Sequence, residues 1–124
     1  MSANSIAWFE IYVQDMQRAK KFYESVFQRT LAELKSPAGD LEMWHFEGDM
    51  NSYGSAGALV KMAGMTPGNS GTIVYFACKD CAVEEKRAAQ FGGSICKPKM
   101  SIGQYGFISL VNDTEGNMIG LHSM

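Results

Sequence analysis

The chain has 124 residues, a formal net charge of −2 and a hydrophobic fraction of 46%. This length is sufficient for one domain whose core needs neither disulfides nor a metal for stability. The acidic balance, without a basic cluster, argues against nucleic acid or an anionic membrane as the main partner. The sequence has no apolar stretch of membrane-spanning length and no signal-peptide pattern at its N-terminus, so we expect a cytoplasmic protein.

The first half of the chain predicts a strand, a helix and three further strands. Residues 6–13 have apolar side chains on both faces of an extended segment, which is typical of a strand covered on both sides. Asp15 is a candidate N-cap for the helix that follows. The apolar side chains of that helix recur at helical spacing: Met16, Ala19, Phe22, Tyr23, Val26 and Phe27. Further strands are predicted near residues 30–35, 41–47 and 57–62, with a hairpin turn at residues 36–40.

The second half repeats this plan after a polar segment with glycine and proline at residues 66–71. Asp80 is a candidate cap for a helix at residues 81–91, which follows a strand at residues 72–78. Three strands are predicted after it, near residues 94–97, 106–112 and 117–122, with a turn at residues 113–117. A β-α-β-β-β unit therefore occurs twice, and the predicted fold class is α+β. We expect a single domain over residues 1–124, with module one at about 5–63, a linker at about 64–71 and module two at about 72–124.

Two segments of the chain carry a family pattern. The first contains Trp8-Phe9-Glu10-Ile11, Asp15-Met16, Arg18-Ala19 and Phe22-Tyr23, and the second contains Tyr105-Gly106-Phe107-Ile108 and Asp113-Thr114-Glu115-Gly116-Asn117. On these residues the chain resembles the vicinal oxygen chelate superfamily, which includes glyoxalase I, bleomycin-resistance proteins and extradiol dioxygenases. Within it, the chain is similar to small bacterial proteins described as related to lactoylglutathione lyase. One departure is Gln28, where the family usually has glycine after the first helix.

The resemblance implies two incomplete barrels that together enclose a pocket. Chains of this length in the family often pair their modules across a homodimer, and the sequence does not decide between pairing within one chain and pairing across two. Metal-using members place a ligand on the first and the last strand of each module. By resemblance these positions are Trp8, Ile73, Gly120 and one position within residues 55–61. None of them supplies a nitrogen, oxygen or sulfur ligand for a divalent metal, so we expect neither a metal nor another cofactor.

Glu10 is the first candidate for a catalytic residue. Strand alternation places it beside Trp8 and Tyr12, on the face that by resemblance looks into the pocket. A carboxyl group buried among aromatic rings favours its protonated form, which suits proton transfer. The alternative is an ionised structural carboxylate, held by hydrogen bonds from neighbouring strands or from a partner subunit.

His122 is the second candidate, because by strand parity it shares the inward face of Gly120. It can form an acid/base couple with Glu10 or a hydrogen bond with a ligand. The alternative is a packed histidine whose ring is satisfied by the backbone.

Five aromatic side chains are candidates for lining the pocket and binding a flat ligand: Trp8, Tyr12, Trp44, Tyr75 and Tyr105. Ordinary core packing is the alternative, and for Trp44 and Tyr105 the sequence does not choose. Cys78 and Cys81 have the spacing of a redox or zinc pair, but both fit apolar core positions and no further zinc ligands are evident.

These observations favour a metal-independent protein that binds a small apolar or aromatic molecule, with Glu10 and His122 as polar contacts. The alternative is a lyase or isomerase that acts on a carbonyl compound by acid/base chemistry, with or without an unusually placed metal. We expect a small-molecule ligand and a homodimer, and neither nucleic acid nor membrane as partner.

Overall fold

The computed structural model describes residues 4, 6–35, 41–49, 51–68 and 71–124. The predicted hairpin turn at residues 36–40 and part of the predicted linker at residues 66–71 lie outside them. The described residues form two four-stranded sheets and two α-helices, in which the order β-α-β-β-β occurs twice. The predicted α+β fold with an internal repeat is therefore confirmed. None of the described helices is long and apolar enough to cross a membrane.

Module one, our name for the first repeat, has its strands in the sheet order β1-β4-β3-β2, with β1 parallel to β4 and the other pairs antiparallel. Its helix begins where the Asp15 carboxylate accepts a hydrogen bond from the Arg18 backbone N–H at 3.0 Å. The helix ends at Gln28, whose φ of 52° lies in the left-handed region that favours glycine. The elements are β1 (Trp8–Tyr12), α1 (Met16–Phe27), β2 (Leu31–Lys35), β3 (Leu41–Phe46) and β4 (Ala56–Met62).

Module two, the second repeat, has the equivalent sheet order β5-β8-β7-β6, and Asp80 caps its helix through the Ala82 N–H at 3.1 Å. The strand that follows this helix extends well past its predicted end at residue 97, because register shifts on both sides of Lys97 let pairing continue beyond Pro98. The elements are β5 (Tyr75–Ala77), α2 (Cys81–Gln90), β6 (Ser94–Ser101), β7 (Phe107–Asn112) and β8 (Met118–Ser123). The predicted module boundaries and the single-domain assignment stay predictions.

A hydrophobic core joins the two modules through the sides of the sheets that face the helices. Alternate residues of β1 point into this core, and the residues between them point to the opposite, more open face. Residues from both sheets and both helices form one contiguous cluster: Ile11, Val13, Met16, Ala19, Phe22, Tyr23, Val26, Leu31, Leu59, Cys81, Ala88, Val111, Ile119 and Leu121.

Glu115, in the turn between β7 and β8, connects module two to the start of α1. Its side chain is 0% exposed, and Oε1 accepts hydrogen bonds from the backbone N–H groups of Gln14 and Asp15, both at 3.0 Å. Arg18 adds two charged donors, Nε to Oε2 at 2.7 Å and Nη2 to Oε1 at 3.0 Å. One buried carboxylate therefore fixes the corner between β1 and α1, at the positive end of the helix dipole.

The same turn makes two further connections to module one and the segment after it. The Tyr23 hydroxyl donates to Asp113 Oδ2 at 2.7 Å inside the core. Burial, followed by the charge of Asp113, raises the pKa of Tyr23 well above its usual value, so the phenol stays a donor. Asn117 donates from Nδ2 to the Tyr12 carbonyl at 3.0 Å and accepts from the Gly68 N–H at 2.7 Å.

Replacement of Glu115 by Gln should lower the free energy of unfolding by about 2–3 kcal/mol, because the charged hydrogen bonds to Arg18 are lost. Urea unfolding near neutral pH measures this difference. Glu33→Gln is the matched control, since Glu33 is half exposed and its ion pair with Lys35 is 3.8 Å long. The control should change stability by less than about 1 kcal/mol.

The contribution of Glu115 should also depend on pH. Burial by itself raises the pKa of Glu115, but hydrogen bonds from Arg18 and from the Asp15 and Gln14 N–H groups outweigh it and lower the pKa to about 2. The folded-state pKa is thus below the unfolded-state value near 4.5, and the stabilisation is complete above that value and is lost as pH falls toward 2. The stability difference between wild type and Glu115→Gln should shrink over this range. A difference that is constant with pH would contradict the assigned role.

Candidate functional site

An open cavity of about 880 Å³ lies between the two modules. Its volume is within the range of small-molecule sites, which is about 300–1,000 Å³. Phenyl rings from both modules form much of its apolar lining: Phe9, Phe27, Phe46 and Phe76. The segment between β3 and β4, together with parts of β5, β7 and β8, supplies the rest, including Tyr53, Ser55, Tyr75, Ala77, Ile108 and His122.

Phe76 brings the aromatic side chains of the two modules together. Its ring stacks on Phe27, with centroids 4.4 Å apart, and meets the edge of Phe9 at 6.0 Å. Tyr23 packs beneath these rings and is fully buried. The phenyl rings therefore belong to the core on one side and line the cavity on the other, which makes this part of the cavity wall rigid.

Tyr75 and His122 form a second part of the lining. The register pairs Tyr75 with Gly120 and Ala77 with His122, so these side chains lie on one face of the second sheet. The Tyr75 ring lies against Gly120, where a Cβ atom would overlap it, and Tyr75 remains 47% exposed. His122 Nε2 is 2.7 Å from the carbonyl oxygen of Tyr105. A carbonyl oxygen only accepts, so Nε2 carries the proton.

Charged residues of both signs line the same cavity. Arg29, Glu47 and Asp49 are exposed at its edge, and Arg29 Nη1 donates to the Glu47 carbonyl oxygen at 3.4 Å. Because the lining contains one guanidinium and two carboxylates, it has no strong preference for an anion. The arrangement suits a ligand that is largely uncharged.

Glu10 lies in a separate cluster on the open face of the first sheet. Trp8 Nε1 donates to Glu10 Oε2 at 3.2 Å, and the Tyr12 hydroxyl donates to Glu10 Oε1 at 2.7 Å. The hydrogen bond to Glu10, followed by burial and the charge of Glu10, raises the pKa of Tyr12. None of these three side chains lines the cavity, and both carboxylate oxygens already accept hydrogen bonds.

The structure therefore divides the predicted site residues into two groups. Trp8, Glu10 and Tyr12 are together on the first sheet, whereas Tyr75 and His122 are together on the second. The predicted acid/base couple is not formed within the described chain, because the contacts of each member are with its own module.

Trp44 and Tyr105 are outside the cavity lining. Trp44 lies on the helix-facing side of the first sheet, where Lys20 Nζ is 3.4 Å from the ring centroid and Nε1 donates to Glu42 at 3.0 Å. Tyr105 is 65% exposed and contributes its backbone carbonyl, rather than its ring, to His122.

A family model described as the Glyoxalase/Bleomycin resistance protein/Dioxygenase superfamily matches residues 5–121. The chain belongs to this superfamily. The match covers both modules, including the turn that contains Glu115.

Solved structures of the same fold include TnmS3, an antibiotic binding protein from Streptomyces sp., with a TM-score of 0.69, 21% identity, and coverage of 99% of this chain and 98% of that one. A glyoxalase/bleomycin resistance protein from Albidiferax ferrireducens has a TM-score of 0.69 and 16% identity, with coverage of 98% and 100%. Glyoxalase I from Zea mays has a TM-score of 0.70 and 16% identity, with 94% of this chain covering 45% of that chain.

This chain thus spans less than half of the maize glyoxalase I. At these levels of identity the likeness shows the fold alone. None of the curated proteins matches the chain.

The superfamily's metal positions do not fit a metal in this chain. Glu10 aligns with Tyr75 in the repeat, and these residues pair with Ala58 and Gly120, so Ala58 is the first-module counterpart of Gly120. By resemblance, the metal positions are therefore Ala58 and Gly120 on the last strands, Trp8 on β1 and Ile73 two residues before β5. None of these side chains ligates a divalent ion. Within the described ranges, no group of three or more His, Cys, Asp or Glu side chains could hold a metal ion.

The two cysteines of the C-x-x-C pair are at least partly buried. Cys81 is fully buried, and burial, followed by the charge of Glu84, raises the pKa of Cys78 to about 12. A thiol that stays protonated at neutral pH is a poor nucleophile.

The sequence pattern does not identify the phenyl rings as residues that line the cavity. Phe9 and Phe27 have the periodicity of ordinary core positions, and a lining role leaves no separate signal in that pattern. Phe76 is aromatic and lies on β5, the strand that corresponds to β1, and this was the available sequence signal for an aromatic lining.

Replacement of Gly120 by Ala should lower the free energy of unfolding by about 1–3 kcal/mol, because the added methyl overlaps the Tyr75 ring. In a Tyr75→Ala background the same change should cost much less, since the overlapping ring is gone. Thermal or urea unfolding of the four proteins gives the coupling between the two sites.

Gly48→Ala is the control, because a Cβ atom there meets nothing within 4 Å. Equal costs for Gly120→Ala in both backgrounds would show that Tyr75 does not pack on Gly120.

Proposed function

We propose that this chain binds a small apolar or aromatic molecule without a metal, in the cavity between its modules. The observation that carries the proposal is the aromatic lining of a cavity of about 880 Å³, formed by rings from both modules. Partly exposed phenyl rings lose water on contact with an apolar ligand, and they lose little side-chain entropy because the core already holds them.

The relatives support a binding role. TnmS3 has nearly the same length and fold and is described as an antibiotic binding protein, which is a function that needs no catalytic group. The four residues at the metal positions of this chain offer no ligand atoms, so a binding role agrees better with them than metal-dependent chemistry does.

A homodimer is part of the proposal, by resemblance to the superfamily. Trp8, on the open face of the first sheet, is 37% exposed, and Ile95 and Met100, on strand β6, are each 40% exposed. Apolar surface of this kind is typical of an interface between copies of a chain. Light scattering tests the dimer.

A cytoplasmic location is proposed from the sequence composition alone.

A panel of uncharged planar aromatic compounds should contain members that raise the melting temperature of the protein by mass action. Ala77→Trp should weaken binding of the best compound by about tenfold or more, because the indole obstructs the cavity that Ala77 lines. Ala32→Trp is the matched control, since Ala32 is an exposed strand alanine outside the lining and its variant should bind normally.

EDTA and added zinc should leave these affinities unchanged. The proposal is wrong if no compound in the panel binds, or if binding is lost on removal of a metal.

An acid/base lyase or isomerase is the second candidate, and Glu10, held between two aromatic donors, is the residue that favours it. In such an enzyme Glu10→Gln should lower the rate by about two to four orders of magnitude. For a binder that uses the cavity, the same change should leave the affinity within about twofold, because Glu10 is outside the lining. We expect the second result, measured by titration together with an assay for product formation from carbonyl compounds.

A further inference from the structure

Tyr75 and His122 offer two different kinds of contact to one ligand. They lie on neighbouring parallel strands, with Tyr75 opposite Gly120 and His122 opposite Ala77. Side chains at such diagonal positions are roughly 7–8 Å apart, which is about the length of two fused aromatic rings. Both line the cavity between the modules.

Gly120 determines the position of the Tyr75 ring. Any side chain at this position would overlap Cγ, Cδ1 and Cε1 of Tyr75, so only glycine lets the ring lie against strand β8. The other surface of the ring stays accessible, as the 47% exposure of Tyr75 shows. A ring held in this way is a platform on which a planar ligand can stack at little entropic cost.

His122 presents an acceptor. Its Nε2 donates to the Tyr105 carbonyl oxygen at 2.7 Å, so in the neutral ring Nδ1 has the free lone pair. Nδ1 has no hydrogen-bond partner among the residues that the structure describes. A neutral imidazole in this tautomer accepts a hydrogen bond from a ligand but does not donate one.

The charged residues of the lining do not replace this contact. Arg29, Glu47 and Asp49, like the hydroxyl groups of Tyr53 and Ser55, are exposed to water, where a hydrogen bond to a neutral ligand contributes little net affinity. The acceptor next to the Tyr75 platform is therefore the group that discriminates between neutral aromatic ligands.

We propose that Tyr75 and His122 select planar aromatic ligands that carry a hydroxyl group, with the ring stacked on Tyr75 and the hydroxyl donating to Nδ1 of His122. This inference rests on the proposed function and names the ligand class for the same cavity. Phenols and hydroxylated fused-ring compounds belong to this class, whereas their methyl ethers lack the donor.

Titration calorimetry with 2-naphthol and its methyl ether tests the inference on the unmodified protein, since the two probes share the ring system and the ether has a methyl group in place of the donated proton. Naphthol should bind about three- to tenfold more tightly than the ether. His122→Leu should bring the naphthol affinity down to that of the ether and leave the ether unaffected. Tyr75→Ala should weaken both probes by about three- to tenfold.

His122→Gln should restore the preference for naphthol, because its amide N–H can donate to Tyr105 and its oxygen can accept from the ligand. His45→Leu is the matched control, since this second histidine lies on β3, outside the lining, and its loss should change neither affinity. Circular dichroism of each variant establishes that it is folded.

Equal affinities of the two probes for wild type would overturn the inference and leave the proposed binding function intact. The same holds if the preference for naphthol survives in His122→Leu. Absence of binding for both probes and for the whole aromatic panel would overturn the binding function together with the inference.

Discussion

The carboxylate of Glu115 holds the two halves of this chain in their relative position. Its donors come from the backbone at the corner between β1 and α1 and from the Arg18 guanidinium, so it fixes both the place and the direction of the first strand. These hydrogen bonds join residues that are about a hundred positions apart in sequence. The contact between the rings of Phe9 and Phe76 depends on the direction of β1. The ring centroids are 6.0 Å apart, so a small rotation of the strand would separate them.

The cavity follows from the way in which the modules pack. The core between the modules is one contiguous cluster that includes Val13 and Leu121. Partly exposed phenyl rings border this cluster at one end. The same phenyl rings thus belong both to the core and to the cavity wall.

By resemblance, position 120 corresponds to a metal-ligand position in the metal-using members of the superfamily. Glycine there removes a metal ligand, and it also makes room for the Tyr75 ring. With Ala58 at the corresponding place in β4, the last strands of both modules present backbone where metal-using members present ligands. The second sheet has an aromatic platform and a histidine instead, which are suited to recognition of an organic molecule.

The sequence by itself determined the repeated β-α-β-β-β order and the helix caps at Asp15 and Asp80, because strand alternation, helical spacing and capping are local properties of the chain. It also placed Glu10 beside Trp8 and Tyr12, since residues two apart on a strand share a face. The choice of cavity residues was decided only by the tertiary structure. Packing of the modules against each other turns core phenylalanines into lining and leaves Glu10 outside, and contacts between residues so far apart in sequence have no local signal.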